Sequence, residues 1–234
     1  MIQLLLFLGI GTAVMLLLNL FRRKRLDIPL GKTLAATLLL TTAGVLGTQL
    51  LCFIETGVWG GQSYFGAVFF VPLVFLPIAW LLRVPYGRIM DLCAPAECAM
   101  LAVMKINCWI AGCCEGRVLY YTAQAKAVYF PSQLAECLNA GALMAVLVLL
   151  EQKGRFRGGL YPLYMLLYGG TRLVLNSFRW GLTPFLWKLP AGHFWALCSM
   201  ALGTAGLLLW TSCRRKEDRI EPSIRQTAAT DSME

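Results

Sequence analysis

Ionisable side chains inside apolar stretches are the residues of this chain that could do chemistry. Arg172 lies in an apolar run with Asn176 and Arg179, at spacings of i, i+4 and i+7, which place all three on one helix face. In an earlier run, Glu97 and Lys105 lie about two helical turns apart and can both face the same interior. A charge at the centre of a membrane helix costs ~2.5 to 3.5 kcal/mol, so such residues usually belong to a site or a pathway.

These side chains suit the binding of an anion. An interior guanidinium fork and an interior ammonium, with no aspartate partner fixed at a matching depth, predict a ligand such as a phosphate. In a bilayer that ligand would be a phospholipid head group. The alternative interpretation is that Arg172 and Lys105 pair with Glu97 or Glu136 and hold a helix bundle together.

The composition indicates the kind of fold that must position these groups. The 234 residues are 58% hydrophobic and only 14% charged, with a mean hydropathy of +0.65. These values exclude a soluble globular protein, and the near absence of polar positions in segments 1–21 and 66–82 excludes an alternating barrel. We predict an all-α polytopic membrane protein with seven transmembrane helices. The predicted spans are 1–21, 33–54, 66–82, 92–114, 134–151, 159–178 and 191–212.

The net charge of +9 indicates the orientation of the chain in the membrane and does not indicate nucleic-acid binding. With the N-terminus outside and the C-terminus cytoplasmic, fifteen of the 21 basic residues fall on the cytoplasmic side and four outside, as the positive-inside rule requires. The fifteen are Arg22, Arg23, Lys24, Arg25, Lys32, Arg83, Arg88, Lys153, Arg155, Arg157, Arg214, Arg215, Lys216, Arg219 and Arg225. The four are Arg117, Lys126, Arg179 and Lys188.

The chain is predicted to form one domain. Segment 1–21 has no basic region before its apolar run, so we expect a retained first helix and not a cleaved signal peptide. Residues 1–213 then form a single seven-helix membrane domain. Residues 214–234 are polar and without an apolar period, and we expect a disordered cytoplasmic tail.

The nine cysteines are the other possible constellation. Cys108, Cys113 and Cys114 are close in sequence, but the chain has no paired CxxC and its only histidine is His193. We therefore expect neither a metal nor a cofactor, and we interpret the cysteines as packing residues. A disulfide that includes Cys113 or Cys114 is the alternative.

Five short motifs follow one another along the chain. They are Gly60–Gly66 (GGQSYFG), Asp91–Pro95 (DLCAP), Lys105–Arg117 (KINCWIAGCCEGR), Phe130–Glu136 (FPSQLAE) and Tyr168–Arg179 (YGGTRLVLNSFR). Their residue types, order and positions relative to the predicted helices resemble the bacterial prolipoprotein diacylglyceryl transferase family. The resemblance extends from about Gly60 to Trp210.

The resemblance implies an enzyme of the bacterial cytoplasmic membrane. Members of the family transfer the diacylglyceryl group of phosphatidylglycerol to the lipobox cysteine of preprolipoproteins, and the implied partners are that lipid, the lipobox segment and membrane lipids, without nucleic acid. Arg172, Arg179 and Lys105 fall on family arginines and are the implied catalytic residues. The implied substrate-binding residues are Ser63, Tyr64, Asn107, Gly116, Arg117, Gln133, Glu136 and Asn176. For the motif glycines, close packing or a turn is the alternative role.

Several positions depart from the family pattern. Phe65 occupies the place of a histidine proposed as the base, and Phe130 that of another histidine. Asn176 replaces a glutamate and Cys108 an asparagine. Two interpretations follow: either thiol activation needs no base beside the cations, or the chain binds phospholipid or lipoprotein precursors without transfer. A small transporter is a third class. The sequence shows no internal repeat, which argues against this class.

Overall fold

A computed structural model describes residues 2–122, 124, 126–154, 156–179 and 184–231, with side chains as far as Arg215. Arg155 and the side chains of Lys216, Arg219 and Arg225, counted above as cytoplasmic, lie outside this description. The described part contains seven α-helices and two short hairpins. The helices are α1 (Ile2–Arg22), α2 (Leu30–Thr56), α3 (Phe65–Leu82), α4 (Tyr86–Ile110), α5 (Ser132–Gln152), α6 (Leu160–Asn176) and α7 (Ala191–Asp231).

The helices correspond to the seven predicted segments, and the chain is a polytopic α-helical protein. Five helices are long and apolar enough to cross a membrane: α1, α2, α3, α5 and the Ala191–Arg215 part of α7. Helix α4 carries Arg88, Asp91, Glu97 and Lys105, which lower its hydropathy, and α6 has only 17 residues. Seven crossings and their orientation therefore stay predictions.

Three boundaries differ from the predicted ones in ways that bear on the site. Helix α4 ends at Ile110, so Cys113 and Cys114 lie in the loop after it. Helix α6 ends at Asn176, and Arg179 lies in the turn that follows, where its amide donates to the Asn176 carbonyl at 3.1 Å. The backbone of α7 is helical to Asp231 where the sequence predicts a disordered tail. The division at residue 213 stays a prediction.

The loops after α4 and α6 each contain a two-stranded antiparallel hairpin. The first pairs β1 (Val118–Tyr121) with β2 (Ala127–Tyr129), and the second pairs β3 (Pro184–Leu186) with β4 (Leu189–Pro190). An isolated bridge between Gly116 and Arg179 joins the two loops. A Cβ on Gly116 would lie 2.5 Å from the Phe130 carbonyl oxygen, so only glycine permits this close approach.

Helix α4 lies at the centre of the bundle and packs against α1, α5 and α6. Its residues from Ile89 to Ala99 are all buried. The other close pairs are α2 with α3 and α6 with α7. Helices α2 and α3 approach through glycines, since a Cβ on Gly47 would lie 2.7 Å from the Gly66 carbonyl oxygen.

A buried arginine joins α1 to α4 and α5. Pro95 has no amide hydrogen, so the Asp91 carbonyl one turn earlier in α4 has no helical donor. The Arg22 guanidinium donates to that carbonyl at 2.6 Å and to the Leu92 carbonyl at 3.1 Å, and it forms an ion pair with Glu151. Arg22 is only 1% exposed. It is therefore a structural residue and not a free basic side chain of a cytoplasmic loop.

The Asp91 side chain fixes the start of α6. Its carboxylate accepts the Gly158 amide at 2.5 Å and the Leu160 amide at 3.0 Å. Free amides at a helix N-terminus need such acceptors. The Asp91–Pro95 motif thus has a structural explanation: its carboxylate caps α6 and its proline frees a carbonyl for Arg22.

We predict that Arg22→Met destabilises the protein strongly. Removing the guanidinium leaves a buried carboxylate and a buried carbonyl without donors, and breaking a buried pair of this kind costs about 3–5 kcal/mol. The measurement is thermal unfolding in detergent. Arg157→Met is the matched control, because Arg157 pairs with Asp27 at an exposed site, where an ion pair contributes about 0–1 kcal/mol. Equal losses in the two variants would contradict the role of Arg22.

Candidate functional site

A cavity of about 600 Å³ lies between α1, α2, α4 and α6. Its wall has an apolar part and a polar part. The apolar part includes Leu4, Leu8, Leu40, Val45, Met100 and Leu101. The polar part includes Glu55, Ser63, Tyr64, Glu97, Lys105, Asn107, Arg172, Asn176 and Arg179. A cavity lined by both polar and apolar side chains fits an amphipathic ligand.

The polar part of the wall includes a cluster of three cations that surround one carboxylate. The Lys105 Nζ lies 2.6 Å from the Glu136 Oε2, and the Arg172 Nη1 contacts the Glu136 Oε1. The Arg179 Nη1 lies 3.9 Å from the same Oε1. Glu136 is 3% exposed, and among the described residues it is not one that lines the cavity. The carboxylate therefore lies behind the cations, which face the cavity.

Each member of this cluster comes from a different part of the chain. Lys105 is on α4, Glu136 is one turn into α5, Arg172 is on α6 and Arg179 is in the turn after α6. With three positive charges and one negative charge, the cluster has an excess of two positive charges. A cavity wall of this charge attracts an anion.

The structure shows which acidic residue the interior cations contact. The pairing with Glu136 that the alternative interpretation left open is confirmed, because Glu136 on α5 reaches both Lys105 and Arg172. Glu97 is not that partner. Its Oε1 accepts the Tyr161 hydroxyl at 2.9 Å, and its backbone carbonyl accepts the Tyr64 hydroxyl at 2.9 Å.

Several buried polar atoms of residues that line the cavity have no hydrogen-bond partner among the described residues. They include the Glu97 Oε2, the Arg172 Nε, the Asn107 Oδ1 and both amide atoms of Asn176. An unsatisfied buried polar atom costs about 1–3 kcal/mol. Gly192 leaves room for the Asn176 side chain, since a Cβ on this glycine would lie 2.8 Å from the Asn176 Nδ2. Donors and acceptors left open beside three cations indicate a binding site for a polar, anionic group.

A sequence model of the prolipoprotein diacylglyceryl transferase family matches residues 3–210. The chain belongs to this family. The match extends the motif-based resemblance towards the N-terminus, so that α1 and α2 are included. No curated protein matches the chain at a significant level.

The other residues assigned to substrate binding by sequence divide into two groups. Ser63 and Tyr64 line the cavity, and the Ser63 hydroxyl donates to the Glu55 carboxylate at 2.7 Å. Gly116, Arg117 and Gln133 do not appear among its described lining residues. Their contacts instead fix the loop after α4, and a role in substrate contact stays a prediction for them.

Two contacts define that loop. The Gln133 side-chain amide donates to the Cys113 carbonyl at 2.6 Å. The Arg117 amide donates to the Phe178 carbonyl at 2.9 Å, and the Arg117 guanidinium lies 5.1 Å from the centre of the Phe178 ring. These interactions attach the loop to the start of α5 and to the turn after α6, which carries Arg179.

The residue in place of the family histidine is part of the cavity wall. Phe65 is 4% exposed, and its ring centre lies 5.9 Å from that of Phe69 and 5.3 Å from that of Tyr168. Tyr168 is one turn before Arg172 on α6. Phe65 therefore supplies an apolar surface next to the cations and no proton acceptor. His193 is not among the described lining residues.

Sequence reasoning missed part of the wall. Cys108, Cys113 and Cys114 all line the cavity, although the sequence suggests only packing or a disulfide for them. A hydrogen bond from the Cys108 thiol, with the nearby Lys105 and Arg179, lowers the pKa of the Cys114 thiol to about 5. The signal available in the sequence was the spacing of the three cysteines. The contribution of α1 and α2 had no motif that could reveal it.

We predict that Lys105 is energetically coupled to Glu136 and not to Glu97. In a double-mutant cycle, Lys105→Met and Glu136→Gln should together destabilise the protein less than the sum of the single changes, by about 0.5–3 kcal/mol. Thermal unfolding in detergent measures the cycle. The matched control replaces Glu136→Gln by Glu97→Gln, for which the effects should add within about 0.5 kcal/mol. Coupling in the control cycle alone would contradict the observed pairing.

Proposed function

We propose that this protein transfers the diacylglyceryl group of phosphatidylglycerol to the lipobox cysteine thiol of preprolipoproteins, in the cytoplasmic membrane of a bacterium. The observation that carries the proposal is the arrangement of Lys105, Arg172 and Arg179 on the cavity wall with Glu136 behind them. Family membership supports a transferase of this class. The donor lipid and the acceptor are those that the family resemblance implies, and the positive charge of the site suits an anionic lipid.

The reaction needs positive charge where the cluster provides it. The thiolate sulfur attacks the glyceryl carbon, a carbon–sulfur bond forms and the bond from that carbon to the phosphate oxygen breaks. The thiol proton goes to the medium, and glycerol phosphate leaves. A phosphodiester carries one negative charge, whereas the departing phosphate monoester carries about −1.5 to −2. Because the negative charge grows during the reaction, the cations stabilise the transition state more than the bound lipid.

The side chains divide this task between them. Arg172 is buried and offers a planar fork that suits two phosphate oxygens. Lys105 adds a point charge, and Arg179, with 24% of its side chain exposed, lies nearer the surface. The open amides of Asn107 and Asn176 suit the hydroxyl groups of the glycerol head. Glu136 contacts no substrate in this scheme and acts as a positioning residue for the three cations.

The apolar part of the cavity suits the acyl chains of the lipid. It is bordered by α1 and α2, whose residues Leu4, Leu8, Leu40 and Val45 line it. Two acyl chains would lose a large hydrophobic stabilisation on passing through water, so access has to be lateral from the bilayer. We infer that all seven helices cross the membrane, with the N-terminus outside and the polar part of the cavity towards the external face.

Phe65 favours a mechanism without a dedicated base. A thiol with a pKa of about 8.5 is already partly ionised near neutrality, and neighbouring cations increase that fraction. The same residue supports a second candidate function, namely binding of phospholipid or lipoprotein precursors without transfer. The two functions are separated by the product of the reaction.

We predict that the purified protein in phosphatidylglycerol vesicles adds a diacylglyceryl group to a lipobox peptide. Mass spectrometry of the peptide measures the adduct. Arg172→Ala should reduce the initial rate by about 10²–10³-fold, as is typical for the loss of one preorganised charge donor. Arg88→Ala is the matched control, because Arg88 lies outside the cavity in an exposed pair with Asp27. It should retain the full rate.

Two other outcomes are informative. An adduct formed equally well by Arg172→Ala would refute the role of the cluster. Without any adduct, saturable binding of phosphatidylglycerol by the folded protein, lost in Arg172→Ala, would establish the second candidate function.

We also predict that the transfer rate rises with pH as the substrate thiol ionises. Without a base, the rate should increase about tenfold per pH unit and level off near pH 8.5. Introducing a proton acceptor by Phe65→His should move the rise towards pH 6.5, the usual pKa of histidine. The measurement is the initial rate of peptide modification between pH 5 and pH 10, a range that spans both values. A flat profile in the unmodified protein would indicate another base.

A further inference from the structure

Three cysteine side chains meet in the wall of the cavity. The sulfur atoms of Cys108, Cys113 and Cys114 all lie within 4.8 Å of one another. All three are free thiols and all three line the cavity. We propose that this cluster is a binding site for one soft, thiophilic metal cation, such as Zn²⁺, Cd²⁺ or Cu⁺, held by the three sulfur atoms.

The backbone brings the three residues together although they do not form a CxxC motif. Helix α4 ends at Ile110, and the chain turns back through Gly112 and Cys114, both at positive φ (64° and 62°). The Cys113 amide donates to the Cys108 carbonyl at 3.1 Å. Left-handed residues reverse the chain within a few positions, so the last turn of α4 and the loop present their sulfurs to a common point.

The loop is held in this conformation by α5. The Ser132 hydroxyl donates to the Cys114 carbonyl at 2.5 Å, and the Gln133 side-chain amide donates to the Cys113 carbonyl at 2.6 Å. Both donors belong to the first turn of α5 and are buried. The ligands are therefore positioned by contacts that do not involve the sulfur atoms, as a preorganised site requires.

The surrounding positive charge favours a thiolate at Cys114. Lys105 is one turn before Cys108 on α4, and Lys105 and Arg179 both interact electrostatically with Cys114. Three thiolates with a divalent cation carry a net charge of −1, which these two cations offset. Thiolate ligands select soft cations over Mg²⁺ and Ca²⁺, which prefer oxygen. Three protein ligands leave a fourth position open at the cavity for water or an anion.

The test uses the full-length protein, reduced, freed of reductant and kept in detergent without oxygen. Adding Cd²⁺ should give one bound metal per chain, measured by elemental analysis after gel filtration, together with a sulfur-to-cadmium charge-transfer band. The triple variant Cys108→Ser, Cys113→Ser, Cys114→Ser should lose both. The matched control is Cys137→Ser with Cys198→Ser, two free cysteines outside the cluster, which should retain both. Mg²⁺ should not compete.

Three results would overturn the proposal. The first is an unchanged cadmium band in the triple variant. The second is the absence of a band while all thiols remain titratable. The third is the loss of two of the three thiols to a disulfide when the cadmium-treated protein is exposed to air, with oxygen as the oxidant. If the triple variant does not fold, each single serine variant should weaken binding at least about tenfold, since even outer-shell partners contribute 10–100-fold. No result depends on transferase activity.

Discussion

The site depends on one ionic interaction, the contact of the Glu136 carboxylate with cations from two other helices and a turn. Lys105, Arg172 and Arg179 would repel one another strongly at such short distances in a medium of low polarity. A single buried carboxylate reduces that repulsion and leaves the positive excess on the cavity side. Its position on α5 fixes the distance between α4 and α6. The packing of the bundle and the charge of the cavity are thus consequences of the same contact.

Helix α4 connects this cluster to a second buried charge centre. Near the start of α4, Arg22 and Glu151 form an ion pair beside the Asp91 carbonyl, and near its end Lys105 contacts Glu136. Both carboxylates belong to α5, which contacts α4 directly through Lys105 near one end and through Arg22 of α1 near the other. A helix with this many charged groups is unfavourable in lipid unless neighbouring helices enclose it. This explains why α4 is the central helix and why its hydropathy is low.

The sequence predicted the helices well because their signal is local. Apolar runs of membrane length and the polar residues between them depend on neighbouring positions along the chain, and all seven segments correspond to helices. Helical periodicity likewise places Arg172 and Asn176 on one face of α6, and both line the cavity, as does Arg179 in the turn after the helix.

What the sequence left open depends on contacts between distant segments. Helical spacing cannot say whether Lys105 reaches Glu97 or Glu136, because the answer depends on how α5 packs against α4. Arg22 reads as one member of a basic loop, and only the carbonyl freed by Pro95 on another helix explains its burial. The cysteine cluster likewise results from two left-handed residues in a loop. Residue types at a distance of five or six positions do not indicate such a turn.

The exchange of a histidine for Phe65 has a smaller consequence than it would have in an enzyme that activates an alcohol. A general base contributes about 10²–10⁴-fold and one preorganised charge donor about 10²–10³-fold, so the two effects are of similar size. A thiol is a few per cent ionised at neutral pH without help. In the proposed reaction, the leaving phosphate has no such intrinsic advantage and needs compensating charge at every turnover. Where a thiol is the nucleophile, the cations held by Glu136 are therefore harder to replace than a base at residue 65.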